Sequence, residues 1–143
     1  MGICQSEYDK LYSLNPSAEI LFRNAYNEIS GICVVLKGHQ GGLGPNKEKI
    51  IWYNVYIGID KIRSEQIPRI FILEPPDHLI EHKNVFHPTF CVDLGRSLPH
   101  LCWGDYEKYW KRDLQRHDRT LVCLIRCAEK ILGEQCLKPP YAR

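Results

Sequence analysis

Apolar positions recur along this chain with two different periods. Ala18, Leu21, Phe22, Ala25, Tyr26 and Ile29 fall at the spacing of one helix face. Asn15 and Pro16 supply a helix start ahead of them and Gly31 a stop, so the spacing predicts a helix over residues 16–29. A shorter helical stretch, with Tyr8, Leu11 and Tyr12 on one side, precedes it. The period then changes, and β-branched and aromatic residues at 32–37, 50–60 and 68–73 predict three strands. The glycine-rich run from Gly38 to Pro45 reads as a hairpin loop. It lacks the Lys-Ser or Lys-Thr pair of a phosphate-binding loop, and Pro45 removes a backbone donor. Connections this short predict an antiparallel meander, because parallel pairing needs a long crossover. Residues 77–103 show neither period and read as one long irregular loop, a kind of segment that often carries function. Asp118 is the candidate cap of a closing helix that buries Leu121, Leu124, Ile125, Ala128, Ile131 and Leu132 and stops at Gly133. Cys123 and Cys127 sit on its flank. The predicted class is α+β: an N-terminal helix, an antiparallel β-meander, a long cysteine-bearing loop and a C-terminal helix, in one domain over residues 1–143.

Composition narrows the function classes. A chain of 143 residues hides roughly two-thirds of its unfolded surface on folding and needs no disulfide framework or structural metal. With 19 basic and 17 acidic residues the net charge is +2, which exerts no strong pull on nucleic acid or an anionic membrane. No apolar run approaches the roughly 18 residues of a membrane span and no export signal is visible, so the expected location is the cytoplasm. The start, Met1-Gly2-Ile3-Cys4-Gln5-Ser6, matches the acylation pattern, with Cys4 as a palmitoylation candidate, although an ordinary N-terminus is the preferred reading. Seven cysteines, an odd number in a chain without an export signal, point to free thiols, metal ligands or a nucleophile rather than to disulfides.

A nucleophilic cysteine needs partial exposure and nearby positive charge or a base. Cys102 lies in Leu98-Pro99-His100-Leu101-Cys102-Trp103-Gly104-Asp105, where His100 would project on the same side of an extended chain. Gly104 lets backbone approach a bulky acyl group, and Trp103 offers a wall. Cys91, in Phe86-His87-Pro88-Thr89-Phe90-Cys91-Val92-Asp93-Leu94, is a rival nucleophile. His87, Cys91, His100 and Cys102 also suggest zinc, but their spacings and that of Cys123 and Cys127 make poor ligand pairs, so no metal and no cofactor is expected. Lys108, Lys111, Arg112, Arg116 and Arg119 form a mildly basic segment, read as a solvated face.

The arrangement resembles the ubiquitin-conjugating enzymes, and specifically their compact bacterial relatives. Tyr53-Asn54-Val55-Tyr56-Ile57-Gly58-Ile59 is similar to the family's inner strand, and Pro68-Arg69-Ile70-Phe71-Ile72-Leu73-Glu74-Pro75-Pro76 to the next strand with its prolines. Pro99-His100-Leu101-Cys102-Trp103-Gly104 resembles the cysteine segment, with Trp110 in the place of the downstream tryptophan. The similarity runs from Ala18 to Leu132, and it rests on order and spacing rather than on any single motif. It implies that Cys102 and His100 are the catalytic residues of an acyltransferase of the E2-like type. Such an enzyme carries the C-terminal glycine of a ubiquitin-like protein, or of a cGAS-like nucleotidyltransferase (CD-NTase), as a thioester and passes it to an amine. His100 would then position the thiolate or donate to the oxyanion. The family's eukaryotic His-Pro-Asn appears here as His87-Pro88-Thr89, without the asparagine. Because Phe90-Cys91-Val92-Asp93-Leu94 after His-Pro is also similar to the eukaryotic cysteine segment, Cys91 stays a rival. The resemblance further implies a bacterial antiphage operon, of the CBASS type or a ubiquitin-like conjugation operon, in which either a separate E1-like activating enzyme or a processed, pre-activated partner supplies the acyl group; charge and hydropathy add the expectation of no nucleic-acid or membrane partner. A catalytically silent adaptor of the same fold and a zinc-stabilised interaction module are the alternatives.

Overall fold

Six strands, each antiparallel to its neighbours, form one sheet in the computed structural model, which describes residues 2–134. Helix α1 (Gln5–Leu14) leads into β1 (Glu19–Arg23), β2 (Ile29–His39), β3 (Ile50–Gly58) and β4 (Ile70–Glu74). A hairpin of β5 (Val85–Cys91) and β6 (Arg96–Leu101) follows, then a short helical turn α2 (Tyr106–Lys108) that runs into a π-helical turn over Tyr109–Asp113, and finally α3 (Leu121–Leu132). The strand order is β1-β2-β3-β4-β6-β5. The period of two along β2 to β4 divides the sheet into two faces. Ile32, Val34, Leu36, Tyr53, Val55, Ile57, Ile70 and Ile72 are buried under the apolar stripe of α3, and α1 packs against α3. Each such aliphatic side chain contributes about 1.5–3 kcal/mol by leaving water. On the opposite face Tyr56, Phe71, Cys91 and Leu98 make a smaller cluster. The glycine-rich run joins β2 to β3 as a hairpin, with Gly41 and Gly42 at φ of 73° and 83°.

Residues 16–29, expected to be helical, instead form β1, a turn and the start of β2. The Asn24 side chain decides this locally. Its Oδ1 accepts the Tyr26 N–H at 2.9 Å and the Glu28 N–H at 3.0 Å, a turn-forming habit that competes with helix. Asn27 completes the turn at φ 61°. Of the expected helix face only Ala18 and Ile29 are buried, while Leu21, Phe22, Ala25 and Tyr26 are exposed. The helix of this region is the earlier, shorter one. In α1, Leu11 is buried, Tyr8 donates to the Ala18 carbonyl at 2.5 Å, and the buried Glu7 accepts the Leu121 N–H at 2.9 Å. Glu7 thus places a carboxylate on the positive end of α3 while its other oxygen meets Arg63. Thr120, not Asp118, is the N-cap of α3, accepting the Cys123 N–H at 3.2 Å.

The stretch 77–103, expected to be irregular, contains β5 and β6. Proline hid them. Pro88 sits in the edge strand beside a register shift, where a missing N–H is tolerated, and Pro99 lies within β6. At the other end of the chain, Gly2 is buried, and a Cβ there would stand 2.2 Å from the Ile29 carbonyl oxygen. Ile3 exchanges both backbone hydrogen bonds with Ile29 at 3.0 Å, so packing accounts for the glycine of the acylation pattern. No helix among the described residues is long and apolar enough to cross a membrane.

Buried His82 links the segment before β5 to α3. Its Nδ1 accepts the Asn84 N–H at 3.1 Å, so Nε2 carries the proton that meets the Leu132 carbonyl at 3.0 Å. Burial lowers its pKa below the ordinary 6.5, and the unfolded chain therefore binds the extra proton more readily. His82 makes its full contribution above about pH 6.5, its unfolded value, and loses it as the pH falls below that. The urea midpoint should accordingly be lower at pH 5.5 than at pH 7.5, and His82→Gln should narrow the difference. An unchanged difference in that variant would remove His82 as the cause.

Candidate functional site

Strand β6 delivers His100 and ends one residue before Cys102. His100 pairs across the sheet with Phe71 of β4 and Phe86 of β5, and its ring centroid lies 5.9 Å and 4.9 Å from theirs. Burial, and then the positive charge of Arg69, lower its pKa, so the imidazole is neutral at pH 7. It lines a pocket of about 470 Å³ together with the apolar Ile67, Phe86, Leu101 and Trp103 and the charged Glu65, Arg69, Glu107 and Lys111.

Cys102 is half-buried and does not line that pocket, although both of its chain neighbours do. Its N–H donates to the Asn84 carbonyl at 2.7 Å, while Asn84 Nδ2 donates to the Ile131 carbonyl at 3.3 Å. The backbone at the cysteine is therefore tied to the end of α3. On the following residue, Trp103 Nε1 donates to the Pro68 carbonyl at 2.9 Å. Gly104 then turns the chain at φ 55° with open space where a side chain would stand. The fold thus brings His100 and Cys102 close along the chain but gives the imidazole its own aromatic surroundings.

Cys91 is 2% exposed, in the cluster with Tyr56, Phe71 and Leu98. Its neighbour Asp93 accepts the Tyr56 hydroxyl at 2.7 Å. Burial, reinforced by that hydrogen bond, raises the phenol pKa so that Tyr56 keeps its proton and remains the donor. A Cβ on Gly31 would stand 2.4 Å from the Tyr56 hydroxyl, so glycine is needed there. His87 is exposed on β5, and among the described residues no three His, Cys, Asp or Glu side chains gather as a metal would require. In the basic segment Lys108, Lys111, Arg112 and Arg116 are exposed, but Arg119 is buried and belongs to the interior.

Cys4, read from the sequence only as an acylation candidate, also has the setting of a reactive thiol. It is exposed at the start of α1, 3.1 Å from the Ser6 hydroxyl, and that hydrogen bond lowers its pKa. Burial raises Cys123 and pushes Cys127 up to about 12. Iodoacetamide at pH 7.5 should therefore label Cys4 at least about tenfold faster than Cys127, because the thiolate is the reacting form. A labelling time course with peptide mapping measures this, and equal rates would contradict the assignment. The signal available in the sequence was a serine two residues after a cysteine at a helix start. No protein-family model, curated protein or solved structure matches this chain.

Proposed function

We propose that this protein is an E2-like acyl carrier in bacterial antiviral defence, with Cys102 as its nucleophile. The observation that carries the reading is the contrast between its two candidate thiols: Cys102 is half-exposed beside an open glycine turn, whereas Cys91 is 2% exposed within an apolar cluster. The α+β order of helix, antiparallel meander and closing helix supports it further. The Cys102 thiolate attacks the activated C-terminal glycine carbonyl of a ubiquitin-like protein or of a CD-NTase, and the activating group leaves. An acceptor amine then attacks the thioester carbonyl, loses a proton, and expels the thiolate. A separate activating enzyme supplies the activated glycine. His100, neutral and fixed between Phe71 and Phe86, acts as a positioning residue that sets the direction in which the chain leaves β6 toward Cys102.

The second reading is a domain of this kind that only binds protein partners. It is favoured by one observation, that the His100 pocket is not lined by Cys102. Intact mass spectrometry separates the two. The protein is co-expressed with the genes that neighbour its own, purified without reducing agent, and compared with Cys102→Ala, Cys91→Ala and Cys4→Ala. The carrier reading requires a protein-sized, thiol-cleavable adduct missing only from Cys102→Ala.

A further inference from the structure

Cys123 and Cys127 lie one turn apart on α3, both half-buried and packed against the core. Cys127 opens onto a cleft of about 560 Å³ formed with Asp105, Tyr106 and Tyr109 from the turn after Cys102 and with Arg126 and Lys130 from α3. Tyr106 and Tyr109 meet edge to face at 6.5 Å and stiffen the far wall.

Two thiols so placed have a restricted chemistry. Neighbours on one helix face hold their Cβ atoms about 5–6 Å apart, whereas a disulfide needs about 3.8 Å, so direct oxidation would require the helix to unwind. An atom bonded to both sulfurs spans the gap without that distortion. Zinc asks for four ligands, and among the described residues no third donor joins the pair. Soft thiolate ligands select Cu(I), which is satisfied by two.

We propose that Cys123 and Cys127 form a two-coordinate site for one soft monovalent metal ion, with Cu(I) as its probe. Binding is an exchange without redox: two thiols and one Cu(I) give a bis-thiolate complex of charge −1 and two protons. Arg126 and Lys130 stand on the same helix to offset that charge, and the cleft provides the entry path. Asp105, Asp118, Tyr106 and Tyr109 are the other ionisable groups around the pair and its cleft, and the two acids oppose the charge of the complex. Nothing in this site depends on Cys102.

Anaerobic titration of the reduced protein with Cu(I), against a coloured Cu(I) chelator, tests the proposal. One ion per chain is expected, with affinity rising by up to about 100-fold per pH unit because two protons leave. Cys123→Ser and Cys127→Ser should each weaken binding at least about tenfold, while Cys33→Ser and Cys102→Ser leave it unchanged. Iodoacetamide footprinting of the loaded wild type should show protection at Cys123 and Cys127, which reads the site even where a serine variant folds poorly. Wild-type affinity in the double serine variant, protection mapping to other cysteines, or no competition with the chelator would each overturn it.

Discussion

Alanine at position 102 should abolish the thiol-cleavable adduct and any amine transfer, a loss on the order of a thousandfold or more, while the fold survives. Cys102 is half-buried and its N–H bond to Asn84 is a backbone bond that alanine keeps, so the stability change should stay within about 1 kcal/mol. Cys91→Ala should behave in the opposite way. Removing a buried sulfur from the Tyr56–Phe71–Leu98 cluster costs about 1–2 kcal/mol but spares the adduct. Urea unfolding with intact mass spectrometry reads both quantities on the same four proteins. An adduct that persists in Cys102→Ala and disappears in Cys91→Ala would keep the chemistry and move the nucleophile. An adduct lost in Cys4→Ala alone would assign it to the thiol whose pKa the Ser6 hydroxyl lowers. No adduct on any of the four leaves the partner-binding reading in possession. His100 adds a further check on mechanism. Its ring stays neutral from pH 7 upward, so the pH dependence of transfer in that range should report the thiol and the acceptor amine, and His100→Gln should leave its shape unchanged.

What could be read from the sequence follows from how local the deciding interactions are. The strands β2, β3 and β4 and the closing helix were legible because their buried positions recur at one period through each element, as Ile32, Val34 and Leu36 do in β2. The N-terminal third was not. Leu21, Phe22 and Tyr26 happen to fall at helical spacing yet are exposed, and the deciding contacts are the Asn24 turn and long-range pairing of β1 with β2. β5 and β6 were hidden by prolines whose tolerance depends on lying at an edge or an interrupted ladder, a property of the assembled sheet. Around the candidate site, the proximity of His100, Cys102 and Trp103 along the chain was legible, but their burial was not. Alternation along an extended segment predicted that His100 and Cys102 face together. To that the structure adds that His100 lies between Phe71 and Phe86 of the neighbouring strands, contacts that sequence separation makes invisible.

Replacing Arg119 should produce the largest loss of stability of any single polar substitution considered, and its cause bears on Cys102. The Arg119 guanidinium is 7% exposed in the residue as a whole and donates to four backbone carbonyls: Trp110 at 2.9 Å, Arg63 and Lys111 at 3.1 Å, and Leu114 at 3.2 Å. Three of these belong to the π-helical turn and its exit, where the ladder leaves carbonyls without partners. The fourth belongs to the β3–β4 connection, where the Arg63 side chain meets Glu7 and Glu7 in turn accepts the Leu121 N–H. Arg119→Ala strips a charged donor from all four at once. Hydrogen bonds to a charged group contribute about 1.5–3 kcal/mol each, but the desolvation of the guanidinium is relieved, so a net loss of about 3 kcal/mol is expected. For a chain of this length that lowers Tm by roughly 10 °C. Lysine at this position keeps the charge but not the planar fork, and should recover less than half of the loss. Arg116→Ala, on the exposed side of the same segment, should stay within about 0.5 kcal/mol. Equal effects of alanine at 116 and 119 would show that the buried network contributes nothing of its own. The segment that Arg119 anchors begins at Trp103, whose Nε1 is held by Pro68 in the same β3–β4 connection. Loosening it should therefore weaken the setting of Cys102, and Arg119→Ala should lower the yield of adduct even at temperatures where the protein is folded.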